Sequence, residues 1–165
     1  MTLRARLIGM LAGLVLLGGT VAFAQSAVRT FTLVGSWELA LTPNSPLASP
    51  FALQIPGLAT FTSDGAVIAD VGQIARIGAF FSTAHGIWQP SPVFGRFFVR
   101  TISFMTNPNA TLRAKRILTM TVAPNANGDQ FSGGYTLEVV DPTGAVLFTG
   151  SGSVTGDLIP HPLLP

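Results

Sequence analysis

The sequence predicts an all-β fold: an antiparallel up-and-down barrel of about eight strands behind an N-terminal signal peptide. Three observations carry that expectation. From Thr30 the apolar residues recur at every second position, the period of a half-buried strand. Short turn signals divide the second half into long strands, and no stretch there keeps a helical spacing.

The first 24 residues read as an export signal. Arg4 and Arg6 make a basic start, an apolar run follows from Leu7, and Ala22-Phe23-Ala24 gives the small-x-small pattern of a cleavage site. A retained membrane anchor is the competing reading, opposed by Gly9, Gly13, Gly18 and Gly19 within the run. The expected organisation is a signal peptide over 1–24, a single barrel domain over 25–160 and a tail over 161–165. Such a protein is exported to the bacterial periplasm or beyond, with no stable membrane anchor.

Composition narrows the function classes. Two of the nine basic residues leave with the signal, so seven remain against seven acidic ones and the mature chain is close to neutral. The high isoelectric point of the whole chain is therefore no argument for nucleic acid or an anionic membrane. Cysteine is absent, which excludes disulfides, thiolate metal sites and a cysteine nucleophile. A chain of this size buries about two-thirds of its unfolded surface, enough for one core without cross-links.

The elements follow in order. Phe31, Leu33, Gly35, Trp37, Leu39 and Leu41 share one face of the first strand. Pro43, Pro46, Pro50 and Pro56 then impose a long irregular connection, because proline gives no donor to a strand ladder. "GLATFTSDGAVIADV" is a hairpin about Asp64-Gly65. Residues 72 to 84, with Ile74, Ile77, Phe80 and Phe81, fit a helical turn or an irregular strand equally well. Strand signals return at His85, turn at Ser91-Pro92, and continue from Val93 to Met105. Turns at 107–110, 125–129 and 141–144 separate strands over 111–123, 130–140 and 145–155. Eight antiparallel strands either close into a barrel or stack as a sandwich. Long strands, hairpin connections and the recurrent glycines of "FTGSGSVTG" favour closure.

Gly35-Ser36-Trp37 near the start of the first strand resembles the Gly-x-Trp signature of the calycins, the lipocalins and fatty-acid-binding proteins. In those barrels the Trp packs across the closed end. The later stretches "HGIWQPSPVFGRFF" and "DQFSGGYTLEVVDPTGAVLFTGSGSVTG" look like a group of small exported bacterial proteins of undefined function. These are similar in plan to lipocalin-like or allene-oxide-cyclase-like barrels. Lipocalins also set an Arg from near the last strand over the Trp, whereas residues 144–165 contain none. The resemblance implies a barrel but no catalytic residues.

The candidate binding residues are Arg100, Arg116, Phe98, Phe104, Trp88 and His85. If the hairpin of Val93–Met105 with 111–123 pairs Phe104 with Leu112, then Phe98 meets Leu118 and Arg100 stands opposite Arg116. Two facing guanidinium groups repel unless an anion lies between them, and their planar forks match a carboxylate. A one-residue slip instead puts Arg100 opposite Ile117, or the face of Phe97, Val99 and Met105 is the interior and both arginines lie in water. His85 and Trp88 form "HGIW", where a histidine without a paired carboxylate reads more readily as structural or exposed than as chemical. The sequence offers no metal cluster, no cofactor motif and no nucleic-acid signature. The leading function is a binding module for a small hydrophobic or anionic amphipathic ligand. An isomerase or cyclase using His85, Asp70 or an arginine, and a structural homo-oligomer using an exposed Phe face, remain open.

Overall fold

A computed structural model describes residues 32–44, 54–72 and 80–160. The expected signal peptide, the tail after Pro160 and the undecided positions Ile74 and Ile77 lie outside them. The described residues form nine strands and no helix: β1 (Gly35–Pro43), β2 (Ile55–Phe61), β3 (Ala66–Val71), β4 (Phe80–Phe81), β5 (Ala84–Pro90), β6 (Phe97–Thr106), β7 (Leu112–Pro124), β8 (Gln130–Val140) and β9 (Val146–Leu158).

Each long strand pairs antiparallel with its sequence neighbour, and β9 returns to β1 along Trp37–Leu158 to Pro43–Gly152. The result is a closed eight-stranded up-and-down barrel. β4 does not widen it. Phe80 and Phe81 pair with Thr106 and Met105, on the edge of β6 that β5 occupies further along. Between β4 and β5 the Ser82 N–H donates to the Phe104 carbonyl at 2.9 Å, and the Ser82 hydroxyl accepts from the Phe104 N–H at 2.9 Å. A side-chain oxygen thus replaces a ladder carbonyl and carries the line of β5 across a kink.

The strands are staggered as closure requires. Interior partners run from Gly35 through Phe61, Val67, Gly86, Thr101, Leu118 and Leu137 to Gly150. Gly150 lies two residues before Gly152, the partner of Pro43, so the circuit closes with an offset of about ten residues and tilted strands. An eight-stranded barrel is just wide enough to be filled by its own side chains or to hold one small ligand.

The hairpin of β6 and β7 departs from the expected register by three residues. Phe98 pairs with Thr121, Arg100 with Thr119 and Ser103 with Arg116. The cause is the loop. Asn107 N–H bonds the Thr111 carbonyl and Ala110 N–H bonds the Asn107 carbonyl, with Ala110 left-handed at φ 62° and a bulge beside Met105 and Thr106. An odd shift flips one strand relative to the other, so Arg100 and Arg116 face opposite sides of the wall. Val93 and Phe94, expected in the strand, belong to the turn closed by Ser91 N–H to the Arg96 carbonyl, with Gly95 at φ 74°.

The expected inward face of β1 is found for Leu33, Trp37, Leu39 and Leu41, all buried. β6 presents Phe97, Val99, Thr101, Ser103 and Met105 to the interior, and β7 presents Ala114, Arg116, Leu118, Met120 and Val122. At one end Trp37, Phe61, Trp88, Phe97 and Phe131 close the barrel. Trp37 is 1% exposed, stands 4.9 Å from the Phe131 ring, and donates its indole N–H to the Leu33 carbonyl at 2.8 Å. Phe131 therefore covers the tryptophan.

Candidate functional site

The opposite end carries the polar chemistry. Along β6 the inward side chains read Val99, Thr101, Ser103, Met105, and along β7 they read Ala114, Arg116, Leu118. The apolar interior is accordingly divided. A large cluster runs from Trp37 to Leu118 and Val71, and a small one at the far end holds Met105 and Ala114 with Phe81 and Val139 packed against them. Ser103 and Arg116, paired across the strands, sit between the two clusters.

Arg116 is the one charged side chain held inside the wall among the described strands. Its Nε donates to the Ser103 hydroxyl at 3.0 Å, and Ser103 is itself buried. Its Nη1 donates to the Val71 carbonyl at 3.2 Å. That carbonyl needs a donor for a clear reason. The Gly72 N–H bonds the Pro56 carbonyl of β2, so across the trans peptide the Val71 carbonyl points to the β5 side, where the β3–β5 ladder has ended at Ala69 and Ala84. Arg116 reaches over β6 to supply the donor that β5 does not.

The guanidinium also lies over the Phe81 ring, 4.7 Å from its centroid, a cation–π contact. Burial lowers its pKa from the ordinary arginine value, while the charge of Asp70 acts the other way. It stays charged at neutral pH. All seven acidic side chains lie among the described residues, and none hydrogen-bonds to Arg116. Its Nη2 donates to no described residue. The arrangement offers a fixed positive fork on an apolar shelf made by Phe81, Met105 and Val139.

The six expected site residues fall in three places. Arg116 stands inside, toward the end away from Trp37. Trp88 is inside at the closed end, its indole N–H on the Thr62 carbonyl at 2.9 Å and its ring edge-on to Phe61 and Phe97. Arg100, Phe98, Phe104 and His85 lie on the outer wall, three of them exposed and Phe98 half-buried. The expected internal pair of arginines is therefore not formed. Ser103, Val71 and Phe81 are the partners that sequence reasoning missed. The signal for Ser103 was present as the Val-x-Thr-x-Ser-x-Met alternation of β6, which sets two hydroxyls among inward apolar residues.

Outside the barrel, an open depression over β1–β3 is lined by Glu38, Pro56, Leu58 and Asp70, whose two carboxylates disfavour an anion. Among the described residues no three His, Asp or Glu side chains gather as a metal site requires, and no helix is long and apolar enough to cross a membrane. Comparison of the chain with models of protein families and with curated proteins gives no match.

Proposed function

We propose that this chain is an exported, lipocalin-like binding barrel for a small amphipathic anion. The anionic head meets Arg116 and the apolar body lies against Phe81, Met105 and Val139. One observation carries the reading: a guanidinium interrupts the apolar interior with no carboxylate hydrogen-bonded to it, the charge of Asp70 acting on it only at a distance. Burying a charge costs several kcal/mol of solvation, and an apolar residue at that position would serve a purely structural core at least as well. The two bonds to Ser103 and Val71 fix the plane of the fork and leave Nη2 unbonded by any described residue, in reach of a ligand oxygen as charge-assisted recognition of a carboxylate requires. The closed end is filled by its own aromatic rings, so the ligand occupies the mouth and not the full depth of the barrel. Catalysis of isomerase or cyclase type is less well supported, because His85 and Asp70 are exposed on the outer face and not among the inward side chains around Arg116.

Calorimetric titration with decanoate, decanol and decylammonium tests the charge requirement. Decanoate is expected to bind at least about tenfold more tightly than decanol, the value of one charge-assisted bond, and decylammonium not at all. Arg116→Met should remove the preference for decanoate and, because it orphans the Val71 carbonyl, lower stability by about 1–3 kcal/mol. Equal binding of decanoate by wild type and Arg116→Met, or no binding of any of the three probes, would exclude the proposal.

A further inference from the structure

The outer wall of β3, β5 and β6 carries an apolar row without a layer of this barrel's described strands above it. Ile68, His85 and Ile102 are direct neighbours across the three strands, with Ile87 and Phe104 beside them. Ile68, Ile87, Ile102 and Phe104 are 47%, 57%, 39% and 46% exposed. Four large apolar groups gathered on one face of a sheet mark a contact surface rather than scattered surface residues.

The charges around that row are arranged in a particular way. Asp70 stands two residues from Ile68 toward the Arg116 end, and Arg100 stands two residues from Ile102 toward the aromatic end. They lie diagonally across His85, roughly 15 Å apart from strand spacing and rise, too far to pair within one chain. Neither forms a direct ion pair among the described residues, although the charge of Asp70 also acts on Arg116 of its own chain.

We propose that a second copy of this chain docks on this face, related by a two-fold axis that runs across the wall beside His85 and Phe104. A two-fold interface is isologous, so it needs a surface complementary to itself. An axis lying perpendicular to the line from Asp70 to Arg100 places Asp70 over Arg100 of the partner subunit, and the reverse. The same operation sets Ile68 over Ile87 of the partner subunit and brings the two copies of Phe104 together near the axis. Two symmetry-related ion pairs then flank a central apolar contact. They fix the crossing angle more than they add affinity, since rim charges act mainly on register and association rate. Lys115, the neighbour of Phe104 on β7, is one strand further round the barrel, where curvature turns it from the partner.

Sedimentation velocity and native mass spectrometry on the protein expressed from its full sequence test the interface, at about 10 µM and at about 100 µM. The wild type is expected to form a dimer. Asp70→Arg and Arg100→Asp, each placing like charges opposite one another twice, should weaken it at least tenfold. The double variant, with both charges exchanged, should recover the dimer. Ile102→Ser should weaken association without altering the charges, and circular dichroism of each variant should match the wild type because all three positions are on the surface. A wild-type monomer at the higher concentration, a ring of more than two copies, or a double variant that fails to reassociate overturns the proposal.

Discussion

Trp37→Ala is expected to lower the unfolding free energy by about 3–5 kcal/mol, the usual cost of removing a fully buried tryptophan. The indole is almost wholly enclosed, packs on Phe131, and uses its N–H to satisfy the Leu33 carbonyl just before β1 begins. Truncation leaves a cavity in a ring of aromatic side chains and also orphans that carbonyl. The cost is a large share of the roughly 5–15 kcal/mol that holds a typical domain together. Urea unfolding, followed through the midpoint at constant slope, measures it. Trp37→Phe should retain much of the packing while losing the hydrogen bond, and so fall between the two. A change below about 1 kcal/mol for the alanine variant would mean that the aromatic end is not the barrel's structural core.

Gly156→Val is expected to be as damaging, for the opposite reason. A Cβ at Gly156 would fall 2.4 Å from carbon atoms of the Phe131 ring, which occupies the space over the glycine. Phe131 cannot retreat, because Trp37 and Phe61 stand against it at 4.9 Å and 6.4 Å between centroids. Overpacking of this kind costs about 1–3 kcal/mol when neighbours can adjust and more when they cannot. The variant should therefore lose at least about 3 kcal/mol or fail to accumulate folded. Phe131→Ala in the same chain should recover part of the loss, since it empties the volume into which the valine grows. Thermal unfolding of the two single variants and the double variant measures the coupling. Simple additivity of the two losses would show that Gly156 and Phe131 do not share that space.

These two residues also show how much of the fold could be read in advance. The alternation about Trp37 assigned Leu33, Leu39 and Leu41 to the interior correctly, because a strand has only two faces and the apolar set occupies one. The turns at Gly65, Gly128 and Gly144 take positive φ as their sequence chemistry demands. What covers Trp37 was not legible, since Phe131 approaches from a strand nearly a hundred residues away and nothing local encodes that meeting. The β6–β7 register failed for a specific reason. Ala110 is left-handed, a conformation that glycine or asparagine would announce and alanine does not. One unannounced residue in a loop, with its bulge, was enough to separate Arg100 from Arg116. Arg116 was still singled out, although for a pairing that does not exist. Its actual partners, Ser103, the Val71 carbonyl and Phe81, come from three other strands and depend on where β5 starts. A site assembled at the ragged end of a barrel is a property of register and strand length, and these are the quantities that periodicity leaves undetermined.

The arginine side chain itself offers the most direct test of anion recognition at the mouth. In the nitrogen-proton spectrum of the folded protein, the Nε–Hε resonance of Arg116 should already stand apart from the exposed arginines, because it is hydrogen-bonded to Ser103. Titration with decanoate should move the Arg116 signal in a saturable way while that of Arg100, on the outer wall, stays in place. An Arg116 resonance that does not respond to decanoate, or a response confined to Arg100 and the other exposed arginines, would contradict a binding site inside the barrel mouth.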